Sequence, residues 1–195
     1  MASNPAEVLQ VPKPAWAADD VGMLQDMATK WLEAEIAPHY DAFEKAEKFD
    51  RESWLKAGAA GLLCASMPEE YGGAGGTYAH ETAIIEAIGH VGVDGFGIAL
   101  HNSIVAPYIL HYGSEEQKRK WLPKMATGEI ITAIAMTEPG AGSDLQGIRT
   151  SAVKDGNHYV INGSKTFITN GQLANLIVVV TKTNPAAGAK GTSLI

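Results

Sequence analysis

The sequence predicts an α+β protein: an N-terminal all-α helical domain followed by an antiparallel, barrel-like β domain that is cut short. Two observations carry this. Up to about Gly128 the apolar residues recur at helix spacing, and from Ile130 onward short β-prone runs alternate with the tight-turn dipeptides Asp155-Gly156, Asn162-Gly163 and Asn170-Gly171. A block of helices followed by a block of strands indicates two packed units rather than an alternating α/β sheet. The expected organisation is a loosely held arm over 1–18, marked by Pro5, Pro12 and Pro14, a helical domain over 19–128 and an incomplete β domain over 129–195.

Along the helical part, Leu24, Met27, Ala28, Trp31 and Leu32 share one face, Asp19 or Asp20 caps the start, and Pro38 ends or kinks the helix. Asp50 caps a shorter helix holding Trp54, Leu55 and Ala59, and the glycines of 72–76 break the chain. Thr77 opens a helix through Ile84, Ile85 and Ile88, and 92–95 separates it from another through Ile98, Leu100, Ile104, Val105 and Leu110. Gly113 suits a left-handed stop, and Ser114 with Gln117 has the form of a capping box for a helix ending near Gly128. The strands expected beyond are 130–136, 150–153, 158–161, 166–169 and 176–181. Ser193 to Ile195 reads as a strand just beginning, so the sheet is expected to keep an open edge.

Composition narrows the function. At 46% hydrophobic and 19% charged residues the chain is too apolar for disorder and lacks the near-continuous apolar run of a membrane span. A net charge of −7 argues against a generic binder of nucleic-acid backbone. Cys64 is the single cysteine, which excludes an internal disulfide, suits a reducing compartment and reads as a core thiol. The N-terminal residues resemble neither a secretion signal nor an import peptide, so a cytoplasmic or already processed protein is expected. His39, His80, His90, His101, His111 and His158 show no metal-ligand spacing and read as surface or packing residues.

Chemistry concentrates in two stretches. In 135–144 a strand runs into a loop where Gly140 and Gly142 let backbone N–H groups approach a ligand, flanked by the hydroxyls of Thr137 and Ser143. Such donors suit an anion or an electron-rich ring edge. The loop is no dinucleotide fingerprint, because Leu145 stands where a third glycine belongs and β-prone sequence follows. A second stretch, 165–171, places Phe167 and Thr169 two residues apart, on one face if the segment is a strand, where a ring could lie on Phe167 and meet the Thr169 donor. Glu138 reads as a motif-shaping residue.

The stretches 135–147 and 161–171, with Met67-Pro68-Glu69-Glu70-Tyr71-Gly72-Gly73 and Tyr112-Gly113-Ser114-Glu115-Glu116-Gln117-Lys118 upstream, resemble the motifs of acyl-CoA dehydrogenases over about all of 19–195. The run 136–147 is most similar to long-chain-type members. The resemblance implies FAD as cofactor, held by Ile134, Met136, Thr137, Gly142, Ser143, Phe167 and Thr169, with Ser143 also near the thioester substrate. It implies oxidation of an acyl-CoA to the 2-enoyl-CoA in fatty-acid β-oxidation, electron-transfer flavoprotein as acceptor and a homotetramer in the cytoplasm or, in a eukaryote, the mitochondrial matrix. The base would be a glutamate of a C-terminal helical domain absent from these residues, so no catalytic residue is assigned here and the chain alone is expected to be inactive and to hold FAD poorly. A non-catalytic interaction module, an acyl-CoA oxidase and a related flavin monooxygenase are the alternative readings.

Overall fold

The computed structural model describes Pro14 and residues 19–195, so the expected N-terminal arm lies, Pro14 apart, outside the described residues. Helix α1, Asp19–Glu35, buries Ala28 and Leu32 and packs along α4, Tyr78–Val91. Pro38 sits in a 3₁₀ turn, Ala37–His39, that bends the chain into α2, Tyr40–Ala46. Helix α3, Arg51–Ala59, starts as expected at Asp50, whose carboxylate accepts from Ser53 N at 2.7 Å. Its Trp54 is fully buried and meets Phe96 and His101 edge-on, with ring centroids 5.2 and 5.3 Å away.

Helix α5 is continuous but not uniform: Ile98–Leu100 and Ala106–Tyr112 flank a π-helical turn, His101–Val105. That turn aims two polar side chains into the core. Asn102 accepts from Cys64 N at 3.0 Å and donates to Leu62 O at 2.8 Å and to the buried Glu81 carboxyl at 2.9 Å. Burial raises the Glu81 pKa, with the Ser66 and Asn102 donors acting against it. Helix α6, Glu115–Ala126, begins with the expected Ser114–Gln117 capping box. Gly113 departs from expectation: its backbone is extended, at φ −70° and ψ 150°, and runs straight into the Ser114 cap. A side chain there is excluded by the Ile109 carbonyl rather than by a left-handed turn.

The sheet contains β1, Thr132–Ala135, β2, Ser151–Asp155, β3, His158–Asn162, β4, Leu176–Lys182, and β5, Thr192–Leu194. Its order is β1-β4-β2-β3, with β5 on β4. The α+β division is as expected, and the sheet does not close. The expected all-antiparallel pairing holds for β2–β3 and β4–β5, whereas β1–β4 and the single β2–β4 contact are parallel. The excursion between β1 and β4 is long enough to bring the chain back in the same direction. Residues 166–169 are not a strand: Phe167 and Asn170 take left-handed backbone, at φ 56° and 63°, which breaks the alternation a strand requires.

His101 couples the two parts. Its Nε2–H faces Met125 O at 3.2 Å, which a carbonyl can only accept, so Nδ1 accepts from the Thr132 hydroxyl at 2.9 Å and from Thr132 N at 3.3 Å. Burial holds the ring's pKa down at about 4. Between that value and the unfolded value near 6.5 the unfolded chain binds the extra proton, so this contribution is complete above pH 6.5 and declines as pH falls toward 4. Subtracting the pH–stability curve of His101→Asn from that of the parent, both from urea unfolding, should leave a rise between pH 4 and 6.5 on the order of 3 kcal/mol. A flat difference would show that the ring titrates in the fold as it does in the unfolded chain.

Candidate functional site

The loop leaving β1 is shaped by one carboxylate. Glu138 is buried, and it accepts from Arg149 N at 2.7 Å, Thr150 N at 2.9 Å and Lys165 Nζ at 2.9 Å. Burial alone would raise its pKa, but the donors of Thr150, Arg149 and Lys165 outweigh that and hold the carboxyl at about 2. Glu138 also exchanges main-chain hydrogen bonds with Ala141, at 2.9 and 3.1 Å, closing a tight turn over Pro139 and Gly140.

From 136 to 138 each carbonyl oxygen is already held from within. Met136 O accepts from Lys165 Nζ at 2.8 Å, Thr137 O from Thr166 N at 3.0 Å, and Glu138 O from Ala141 N. By contrast, the N–H groups of Thr137, Gly140, Gly142 and Ser143 make no hydrogen bond within the described residues. A Cβ added at Gly140 or Gly142 would meet nothing, and neither glycine has positive φ, so neither packing nor turn geometry requires glycine there. What glycine leaves at these positions is open access to the main chain. These open N–H groups are donors of the kind that a phosphate or the electron-rich edge of a reduced flavin accepts from.

The 165–171 stretch stands beside it, joined through Lys165 and Thr166. Phe167 is 91% exposed, and a large aromatic side chain left in water on a strained, left-handed backbone has no internal packing to justify it. Thr169 is exposed at a cleft of about 250 Å³ whose walls include Phe49, Gly95, Ile168 and Leu173. Asn170 fixes this turn: its amide donates to Gly97 O at 3.2 Å and Thr132 O at 3.1 Å, tying the turn to the start of α5 and to β1.

Of the sequence-predicted residues, Met136, Thr137, Phe167 and Thr169 fall on the two joined loops, and Gly142 and Ser143 on the exposed rim. Ile134 differs: its side chain belongs to a core cluster with Val105, Ile148 and Val180, so any contact it makes with a ligand is through its main chain. Phe167 and Thr169 share no strand face; a turn displays them instead. Lys165 and Asn170 are organising residues that the motif reading passed over. Both stand inside the second motif, one at each end of the Phe167–Thr169 pair, and that position was the available signal.

Residues 18–129 match the N-terminal domain and residues 133–195 the middle domain of acyl-CoA dehydrogenases. The chain belongs to the acyl-CoA dehydrogenase family. It is 47% identical over 174 residues to the mitochondrial long-chain specific acyl-CoA dehydrogenase of Sus scrofa, which covers 88% of this chain and 40% of that protein. The crystal structure of an acyl-CoA dehydrogenase from Geobacillus kaustophilus superimposes with a TM-score of 0.89 at 50% identity, over 94% of this chain and 49% of that one. A glutaryl-CoA dehydrogenase from Mycobacterium smegmatis in complex with FADH2 matches at 30% identity with a TM-score of 0.79, over 86% and 43% of the respective chains. The chain thus spans less than half the length of these relatives.

Two substitutions at left-handed positions should separate display from anchoring. Phe167→Gly removes strain and an exposed ring, so thermal unfolding should shift by no more than about 0.5 kcal/mol. Asn170→Gly relieves the same backbone strain but deletes two hydrogen bonds, and should cost about 1–2 kcal/mol. Equal effects at the two sites would contradict these assignments.

Proposed function

We propose that this chain is the flavin-contacting portion of an FAD-dependent acyl-CoA dehydrogenase that oxidises an acyl-CoA thioester to the 2-enoyl-CoA and passes electrons to electron-transfer flavoprotein. The observation that carries the reading is the set of open main-chain donors after β1, where the carbonyls of 136–138 are held internally and the N–H groups of Thr137, Gly142 and Ser143 are left open. That donor set suits the two parts of the cofactor assigned to it, the pyrimidine edge and the pyrophosphate. Met136 and Thr137 would meet the pyrimidine edge of the ring, and Gly142 with Ser143 the pyrophosphate. Phe167 would cover a ring face, and Thr169 would donate near N5. When bound, the flavin supplies the acceptor for the substrate's β-hydride.

Glu138 is unsuited to be the base that removes the α-proton. Its carboxylate already accepts three hydrogen bonds, and a pKa of about 2 makes it a weak proton acceptor. The base, the adenine contacts and the tetramer interface are assigned to the portion of the relatives that this chain does not span. Localisation is proposed as cytoplasmic, or matrix in a eukaryote; no helix among the described residues is long and apolar enough to cross a membrane.

A long acyl chain is the proposed substrate class, on the strength of the long-chain relative's 47% identity. Helix α5 supplies an exposed groove of about 350 Å³ lined by Ser103, Ile104, Pro107, Tyr108, His111 and Tyr112. Its two tyrosines, Tyr108 and Tyr112, are the bulkiest residues of that lining. Stopped-flow reduction of the flavin, in the protein at its full encoded length and across short, long and branched acyl-CoAs, tests the whole reading. Reduction should be fastest with long straight chains, and Thr169→Ala should slow it roughly tenfold or more while leaving thermal stability nearly unchanged. No reduction by any acyl-CoA would sink the activity, whereas a short-chain optimum would sink only the substrate class.

A further inference from the structure

Lys165 is an unusual place for a lysine. Its side chain is only 11% exposed, and its ammonium lies between Glu138 Oε1 at 2.9 Å and Met136 O at 2.8 Å. As a stabilising device this is a poor choice, because burying an ion pair costs much of what the attraction returns and an apolar pair of similar volume often does as well. The second contact offers another reason for it. Across a planar trans peptide the carbonyl of one residue and the N–H of the next point in opposite directions. Pinning Met136 O inward therefore turns Thr137 N–H outward, onto the open rim. Thr166, the next residue along, donates to Thr137 O, so the following peptide is fixed from the same segment. Glu138 in turn holds the ammonium in place through a carboxylate anchored by Arg149 N and Thr150 N.

We propose that Lys165 is a positioning residue of the flavin site, orienting the 136–137 peptide so that Thr137 N–H faces the ring edge where negative charge accumulates on reduction. The proposal rests on the flavin reading above and deepens it. Its chemistry is electrostatic: a preorganised donor stabilises the reduced ring more than the oxidised one. Losing that orientation should weaken binding and make the bound flavin harder to reduce.

The test uses the protein at its full encoded length, with Lys165→Met and the double variant Lys165→Met/Glu138→Gln, in which no unpaired charge stays buried. The readouts are the FAD dissociation constant, the midpoint potential of the bound flavin and the thermal midpoint. The proposal expects a dissociation constant raised roughly tenfold and a potential shifted to more negative values in both variants, with the double variant folded but less stable than the parent, because an NH2 group then replaces one of the two oxygens that accept from Arg149 N and Thr150 N. A folded double variant with parental affinity and potential would overturn it and leave the flavin reading intact. Failure of both variants to fold would make the clasp structural and would also overturn it. A parent protein that binds no flavin would remove the flavin reading and the positioning role together.

Discussion

The Glu138 carboxylate draws together the end of β1, the approach to β2 and the segment after β3. Remove it, and two backbone N–H groups and a buried ammonium lose their acceptor at once, each at the cost of an unsatisfied polar group. It remains ionised in the fold. Its depressed pKa, about 2, means that its contribution is fully present above the unfolded value near 4.5 and is lost only as pH falls from there through about 2. Because Lys165 and Thr166 occupy the carbonyls of Met136 and Thr137, the N–H of Thr137 is left to face outward at the start of the loop. Binding character at the rim follows from hydrogen-bond satisfaction underneath it.

The helical part holds this arrangement in position through polar contacts at a few points. His101, kept neutral by burial, links α6 to β1, and the Asn170 amide links β1 to the start of α5. Arg51 of α3 adds a third tie: its guanidinium donates to Glu129 O at 2.8 Å, Asn175 Oδ1 at 2.9 Å and Leu173 O at 3.3 Å, on both chain segments entering the β1–β4 pair. Such contacts are directional, so they fix the site's geometry more narrowly than the apolar packing around Trp54 and Ile131 could.

Features set by neighbouring residues were legible in the sequence. Asp50 and the Ser114–Gln117 box start their helices as read, and the last helix ends near Gly128 as read, whereas Gly113, read as a left-handed stop, is extended. The helix-then-sheet division also followed from local signals, helix periodicity before Gly128 and tight-turn dipeptides after Ile130. Features decided at long range were not. Residues 166–169 have strand composition, yet Thr166 N pairs with Thr137 O and Asn170 with Gly97 and Thr132, and these distant partners override local preference. The parallel β1–β4 pair depends on where a forty-residue excursion returns, which no turn dipeptide encodes. The candidate site residues were read from motif resemblance, but the Lys165–Glu138 clasp, twenty-seven positions apart, joins the two motifs only in the fold.

Hydrogen–deuterium exchange, with and without FAD and at peptide resolution, tests the central claim most directly, since it reads main-chain N–H groups themselves. The account predicts that FAD slows exchange within 136–144 and 163–171 together, while the exposed β2–β3 hairpin exchanges as before. Protection confined to other segments, with 136–144 unchanged while FAD is demonstrably bound, would contradict it.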